Sequence, residues 1–207
     1  MKTLLDFENW NRKDHFNFFN QFEEPFFGVT ITIDCSIAYI KCQKEQKGFF
    51  LYYLHQCLGA ANAVEAFRLR IEDGNVYLYD VVHATAVINR PDTTFGFSYL
   101  DYHEIFDHFQ AEAKKEMDRI RNSKGLVPAD SGANVMHISA IPWLDFTSLS
   151  HARGFSFKDS CPKISFGKMT ESGGKKTMPV SIHVNHALMD AYHVSIFVDE
   201  FQHRMNK

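Results

Sequence analysis

The sequence predicts an α+β domain, a two-layer sandwich in which helices cover a mixed, largely antiparallel sheet. Strand and helix periods follow one another without a regular βα alternation, and two turn signals, Asp73-Gly74 and Glu171-Ser-Gly-Gly, join neighbouring strand patterns as hairpins. The chain has 207 residues, of which 45% are hydrophobic, enough for one substantial core. No linker interrupts it, so we assign residues 1–207 to a single domain.

The first half of the chain supplies two helices, a strand and a hairpin. Apolar residues recur at helical spacing over 11–22 and 48–64, and they alternate with small or polar residues over 26–36. Strand patterns at 67–71 and 76–82 lie on either side of the Asp73-Gly74 turn. We therefore expect helix, strand, helix and hairpin in that order.

The second half repeats this mixture. A strand is predicted around 93–100, and a helix over 102–121 carries one apolar stripe that includes Phe106, Phe109 and Ile120. A polar loop at 122–134, with glycine and proline, precedes a strand at 135–141. The last predicted elements are strands at 163–169 and 178–186 around the second turn and a helix over 190–205.

Composition excludes several functional classes. The formal charge is −3, from 22 basic and 25 acidic residues, which gives no basic field for a nucleic acid. No run approaches the ~18 apolar residues of a membrane span, and Asp6 and Glu8 interrupt the apolar start before a signal-peptide core forms. We expect a cytoplasmic protein with no membrane partner. Four cysteines without a CxxC pair indicate free, mostly buried thiols.

The densest polar cluster lies at 183–193 and contains His183, His186, Asp190 and His193. A metal site is one interpretation, but His183 and His186 are three residues apart at a strand end and should point to opposite faces, so we predict no metal. The other interpretation is chemical, because imidazole exchanges protons near neutral pH and a rigid strand-to-helix junction would hold it. The spacing alone leaves open whether His186 is a general base or an ordinary surface histidine beside a capped turn.

Several segments match one family in the same order along the chain. Asn185-His186-Ala-Leu-Met-Asp190-Ala191 is similar to an HHxxxDG motif, and Trp10-Asn-Arg12-Lys-Asp-His-Phe to W-x-R-K-E-H-F. The segment Ser139-Ala-Ile-Pro-Trp-Leu-Asp-Phe-Thr-Ser also fits the pattern. Together these matches run nearly end to end, and the sequence resembles the chloramphenicol acetyltransferase family.

The resemblance implies the coenzyme A-dependent acyltransferase fold and direct acetyl transfer from acetyl-coenzyme A to a hydroxyl of a small amphipathic acceptor, with chloramphenicol as the best single choice. It implies His186 as the general base and Ser139 as the donor to the oxyanion. Acetyl-coenzyme A is a co-substrate, and no tightly bound cofactor is expected. A homotrimer with active sites between subunits is also implied. The resemblance makes Arg12 and Asp190 a structural ion pair and places Phe19, Phe95, Phe97 and Ser165 in the substrate-binding site.

Two departures from the family pattern bear on the site. The first histidine of the family's pair is Asn185, and the glycine after Asp190 is Ala191, which would be strained if that position needed a left-handed backbone. Apart from the resemblance, Arg12 is most simply a solvated helix charge and Ser139 a locally hydrogen-bonded strand serine. Two functional alternatives stay open: the same chemistry on another acceptor and a non-catalytic ligand-binding relative. A metal-dependent hydrolase is the least favoured interpretation.

Overall fold

The structure is a computed structural model that describes residues 1–126, 131–154 and 159–207. Its elements are labelled here in chain order. The helices are α1 (Lys13–Phe19), α2 (Ser36–Lys44), α3 (Phe49–Ala63), α4 (Glu65–Arg68), α5 (Phe106–Arg121) and α6 (Ala191–Met205). The strands are β1 (Lys2–Leu4), β2 (Phe26–Asp34), β3 (Leu69–Glu72), β4 (Asn75–Tyr79), β5 (His83–Asn89), β6 (Phe95–Leu100), β7 (Val135–Ala140), β8 (Lys163–Phe166), β9 (Thr170–Ser172) and β10 (Lys175–Asn185).

One large sheet carries the fold. Its strand order is β2-β10-β8-β7-β5-β6, with β9 added to the beginning of β10. The β5–β7 and β7–β8 pairs are parallel and the remaining pairs are antiparallel. A small antiparallel sheet, β1-β4-β3, lies beside it. The predicted mixed, largely antiparallel sheet is confirmed.

Helices α3, α5 and α6 form the second layer over one face of the sheet. Leu54, Leu58, Phe197 and Phe201 from these helices are fully buried in one core with alternate residues of the strands, such as Ile182. Alternation along each strand sends the intervening side chains to the opposite face, which we call the outer face. The predicted two-layer arrangement is confirmed.

The strand register sets two polar rows on the outer face. The first row follows Ser139, Ser165, Ser181 and Thr30 across β7, β8, β10 and β2. The second row follows Thr85, His137, Lys163 and His183 across β5, β7, β8 and β10. Hydroxyl and imidazole groups therefore gather on the outer face of the sheet.

Buried Arg70 fastens the small sheet to the beginning of β7. Its guanidinium donates to the carbonyl oxygens of Phe67 in α4 and Leu69 in β3 at 2.7–2.9 Å. It also donates to those of Ala133 and Val135, just before and at the start of β7, at 2.8 Å. Hydrogen bonds to four carbonyls replace the hydration that a buried guanidinium loses. The strand that carries His137 and Ser139 is thereby held from its first residue.

Both predicted turns have the expected backbone. Asp73 and Gly74 have φ of 49° and 80°, and Gly173 and Gly174 have φ of 57° and 78°, as two-residue hairpin turns require. The second hairpin nevertheless differs from the prediction, because 163–169 is not one strand. β8 ends at Phe166, and the short β9 makes the hairpin with β10.

The structure corrects several predicted boundaries. It adds β1, β5 and α2, which the pattern did not indicate, and it turns residues 65–68 into α4, so that the strand predicted at 67–71 begins at Leu69. The helix predicted from residue 102 begins at Phe106. Of the loop predicted at 122–134, residues 127–130 lie outside the described residues. None of the helices in the described ranges is long and apolar enough to cross a membrane.

Candidate active site

His186 lies in a tight turn between the end of β10 and the start of α6. Its backbone N–H donates to the carbonyl oxygen of Pro25 at 2.7 Å, which ties the turn to the beginning of β2. The side chain of Asn185 accepts a hydrogen bond from the N–H of Ala187 at 2.9 Å, and the Asn185 carbonyl accepts one from Leu188 at 3.1 Å. The residue that departs from the family's histidine pair thus stabilises the turn from within.

The ring of His186 has one defined orientation. Nδ1 lies 3.2 Å from the carbonyl oxygen of Met189, and since a carbonyl only accepts, Nδ1 carries the proton in the neutral ring. The Phe19 ring stacks on the imidazole at 3.9 Å between centroids, and Phe27 lies at 4.6 Å. Nε2 is therefore the nitrogen with the free electron pair.

Arg12 ties the first helix to this turn. Its Nη1 donates to Oδ2 of Asp190 at 2.6 Å, and its Nη2 lies 3.5 Å from the carbonyl oxygen of His186. Arg12 is 8% exposed, so it is not a solvated helix charge. The guanidinium joins the backbone of the turn to the first residue before α6.

Asp190 caps helix α6. Its carboxylate accepts from the N–H of Tyr192 at 3.0 Å and lies 2.9 Å from Nδ1 of His193. Ala191 is the first residue of α6 and has no left-handed backbone, so alanine is harmless there. Burial acts to raise the pKa of Asp190, but hydrogen bonds from Arg12 and His193 outweigh it and lower this pKa to about 2.

The low pKa of Asp190 predicts an acid-dependent loss of stability. The carboxylate stabilises the fold fully above its ordinary pKa of 3.8, and this contribution disappears as the pH falls towards about 2. We expect Asp190→Asn to lower the free energy of unfolding by about 1–2 kcal/mol near neutral pH, allowing for the partial exposure of the pair. The difference from wild type should shrink near pH 3. Urea titrations at both pH values measure it.

The matched control for this prediction is Asp118→Asn, which removes an exposed carboxylate that pairs with Arg121 on the surface of α5. We expect Asp118→Asn to change stability by less than about 0.5 kcal/mol at either pH. An Asp190→Asn effect that is equally large at both pH values would contradict the assignment of the stability to the charged carboxylate.

Ser139 lies in a second place on the sheet, in a cavity of about 370 Å³ that also contains Phe95 and Phe97. Within the described ranges no group hydrogen-bonds its hydroxyl, so the local bond expected of an ordinary strand serine is not made there. Ser165 faces Ser139 in the neighbouring strand, is fully buried and has an Oγ without a hydrogen-bond partner among the described residues. The Ser139 hydroxyl lines the cavity and can bind a ligand there, whereas the Ser165 hydroxyl is buried behind the surface of the cavity.

A larger cavity of about 730 Å³ adjoins the first along the outer face. Lys163 and Ala152 line both cavities, and the larger one continues past Arg153 and Phe26 to Asn185, beside the His186 turn. The outer face therefore carries one extended concave surface from Ser139 to the end of β10.

The structure brings the predicted site residues together in two groups. Two strand spacings of ~4.8 Å and five residues at ~3.3 Å separate Ser139 from His186, which puts their Cα atoms roughly 19 Å apart. Within one chain they cannot contact the same reacting carbonyl. The first group contains Arg12, Phe19, His186 and Asp190, and the second contains Phe95, Phe97, Ser139 and Ser165.

The sequence did not predict the titratable residues of the Ser139 cavity, which are His137, His151 and Lys163. The strand period contained a signal for two of them, since His137 and Lys163 precede Ser139 and Ser165 by two residues and share their face. His151 lies in a segment without regular structure, where no periodicity indicates a direction.

The histidines of the 183–193 cluster do not converge. His183 contacts His151 on the outer face, whereas His186 stacks on Phe19. Among the described residues, the side chains close enough to share a metal are His137, Asp159 and Cys161. Lys163 makes an ion pair with Asp159, and this ammonium would compete with a metal ion for the carboxylate.

Known proteins resemble this chain in sequence and in fold. The sequence profile of the chloramphenicol acetyltransferase family matches residues 1–202. A chloramphenicol acetyltransferase of Staphylococcus aureus is 30% identical over 206 residues, which cover 97% of each chain. A solved chloramphenicol acetyltransferase structure superposes with a TM-score of 0.87 at 30% identity and covers 99% of this chain and all of its own. The dihydrolipoamide acetyltransferase of Azotobacter vinelandii, with 12% identity, covers 88% of this chain and 82% of its own at a TM-score of 0.68, and shares the fold.

Proposed function

Because the chain belongs to the chloramphenicol acetyltransferase family, whose members are acetyl-coenzyme A-dependent acetyltransferases, we propose that it transfers the acetyl group directly to a hydroxyl of chloramphenicol. The observation that carries the mechanism is the fixed His186 ring, with Nδ1–H directed at the Met189 carbonyl oxygen and Nε2 left free. Such a ring is a general base that needs no reorientation before proton transfer.

In the proposed reaction His186 carries one proton from the acceptor hydroxyl to the departing thiolate. Nε2 removes the proton of the acceptor hydroxyl while the hydroxyl oxygen attacks the thioester carbonyl, which forms a tetrahedral oxyanion. The Ser139 hydroxyl donates a hydrogen bond to that oxyanion and stabilises its charge. As the intermediate collapses, the carbon–sulfur bond breaks and the imidazolium returns its proton to the departing coenzyme A thiolate. No covalent acetyl-enzyme is required.

The site requires a second copy of the chain. Ser139 and His186 are separated by roughly 19 Å within one chain, since they lie two strands and five residues apart. A cyclic assembly brings the His186 turn of one copy to the Ser139 cavity of the next and repeats the arrangement at every interface. We propose a homotrimer of this kind, in which each site takes its base from one copy and its oxyanion donor from the neighbour.

A mixing experiment tests the shared site. Co-expression of equal amounts of the His186→Ala and Ser139→Ala chains yields randomly assembled trimers, and over this whole unfractionated population roughly a quarter of the sites combine both intact residues. We expect the population to regain roughly a quarter of the wild-type activity per site, although each parent is nearly inactive. Thiol release from acetyl-coenzyme A measures it.

The control for mixing co-expresses wild type with the double variant. Shared sites again give roughly a quarter of full activity, whereas sites made within one copy give roughly half. Activity in the first mixture that never exceeds the mean of the two parents would contradict the shared site.

Thiol release with acetyl-coenzyme A and chloramphenicol tests the proposed acceptor. We expect release that depends on both substrates, with acetylated chloramphenicol as the product by mass spectrometry. Release with other alcohols but not with chloramphenicol would favour the alternative of another physiological acceptor. No transfer to any alcohol, with ligand binding retained, would favour a non-catalytic relative.

The proposed reaction has a biological consequence. An acetylated antibiotic no longer has the free hydroxyl, so we propose that the protein confers resistance to chloramphenicol. We also propose that it acts in the cytoplasm, since acetyl-coenzyme A is a metabolite of that compartment.

A further inference from the structure

The cavity that contains Ser139 has two chemically different walls. Val87, Phe95 and Phe97 form an apolar wall on β5 and β6, where the two phenylalanine rings lie edge to face at 5.7 Å. His137 on β7, Lys163 on β8 and His151 in the segment between these strands supply polar groups to the same cavity, and we call them the polar wall. An alcohol whose hydroxyl is near Ser139 therefore meets both apolar side chains and imidazoles.

His151 is the polar group without a partner in this wall. Its Nε2 is buried, and nothing within the described ranges hydrogen-bonds it. A buried polar atom that makes no hydrogen bond destabilises the structure, and a ligand that supplies the missing bond removes that penalty. The unpaired Nε2 thus belongs to a residue that lines the cavity next to the proposed site of transfer, where a ligand could supply the missing bond.

Neighbouring residues on the outer face of the sheet hold the ring of His151 in place. Its ring lies edge to face with His183 at 4.9 Å, and Nδ1 of His183 lies 3.2 Å from the hydroxyl of Ser181. Gly28 on β2 makes room for His183, because a Cβ at Gly28 would overlap the His183 ring. The imidazole of His151 therefore rests on a fixed neighbour rather than on open solvent.

The polar wall carries no net charge near neutral pH. Lys163 is buried and pairs with Asp159, so its ammonium is already compensated. Burial, together with neighbouring His183 and Lys163, lowers the pKa of His151 to about 4, and the ring is neutral. His137 has its Nδ1 2.9 Å from the hydroxyl of Thr85. A neutral imidazole donates at one nitrogen and accepts at the other, which suits an amide or hydroxyl.

We propose that His151 is a specificity-determining residue, which selects alcohols that carry a neutral amide or hydroxyl group beside an apolar body. Charged groups are disfavoured because no unpaired counter-charge is offered to them, and wholly apolar groups are disfavoured because they leave Nε2 unpaired. This inference rests on the proposed function, since it assigns the acceptor to the Ser139 cavity.

Binding measurements without turnover test the inference separately from catalysis. The probes are three phenylpropanediols that differ at a single carbon, where they carry an acetamido, an ammonium or a methyl group. Calorimetric titration in the full-length His186→Ala background gives their dissociation constants. We expect the acetamido compound to bind about tenfold more tightly than the other two. His151→Leu should remove that preference while leaving the methyl compound's affinity unchanged.

Two further variants are controls for misfolding and for nonspecific effects on binding. His151→Gln, which restores a hydrogen-bonding group, should recover the preference for the acetamido compound at least in part. His108→Leu, which changes an exposed histidine on α5, should leave all three affinities unchanged. Equal loss for all probes, no loss for any of them, or no preference in the unmodified cavity would each overturn the inference. Selective binding without acetyl transfer by wild type would overturn the proposed function instead.

Discussion

We expect His186→Ala to lower kcat by about 10²–10⁴-fold, because the variant has no base to remove the acceptor's proton. The backbone contacts of the turn do not need the imidazole, since the N–H of residue 186 bonds Pro25 and Asn185 supports the turn itself. KM for both substrates should therefore change much less than kcat. Steady-state thiol release with each substrate varied in turn measures both parameters.

Added imidazole distinguishes a lost base from a loosened site. Small imidazoles should restore part of the activity of His186→Ala, because the space above Phe19 that the ring occupied becomes open. The exposed-histidine variant His108→Ala should keep wild-type rates with or without imidazole. A kcat of His186→Ala within about tenfold of the wild-type value would contradict the proposed mechanism.

Ser139→Ala should be the second severe variant. Removal of one oxyanion donor costs about 2.7–4 kcal/mol of transition-state stabilisation, which lowers kcat by roughly 10²–10³-fold. The hydroxyl makes no hydrogen bond within the described part of the chain, so its removal breaks no structural contact there. We expect an unchanged melting temperature and an unchanged KM for acetyl-coenzyme A.

A serine outside the site provides the control for Ser139→Ala. The hydroxyl of Ser195 bonds the Tyr192 carbonyl at 2.7 Å on the exposed side of α6, and Ser195→Ala should keep full activity. A rise in KM with kcat unchanged, or a loss of activity that follows a loss of stability, would contradict the role of Ser139 as an oxyanion donor.

The sequence predicts the fold correctly in the elements whose core positions carry large apolar side chains at the period of a helix or a strand. The stripe of α5 that contains Phe109 and Ile120 shows the helix clearly, and both glycine-containing turns require φ values that few residues adopt. Strand β5 was missed because two of its core positions are Ala84 and Ala86, which give almost no apolar alternation. Helix α2 was missed because Ile37 on its surface is exposed while small residues face the core.

The candidate site also has a part that the sequence predicts and a part that it does not. The spacing around His186 and Asp190 is local, so a motif identifies it and the turn follows from it. The distance between His186 and Ser139 depends on strand order, and the completion of the site depends on how copies of the chain assemble. Neither property has a local pattern, and His151 lies in a segment without a period.

The ion pair between Arg12 and Asp190 also sets the time at which His186 becomes ordered during synthesis of the chain. The two residues are 178 positions apart, and at ~5–20 residues per second a ribosome needs roughly 10–40 s to travel between them. During that interval Asp190, the carboxylate that Arg12 binds in the folded chain, has not yet been synthesised. Helix α1 can acquire its final place only after nearly all of the sheet has been synthesised, so catalytic competence is gained at the last stage of folding.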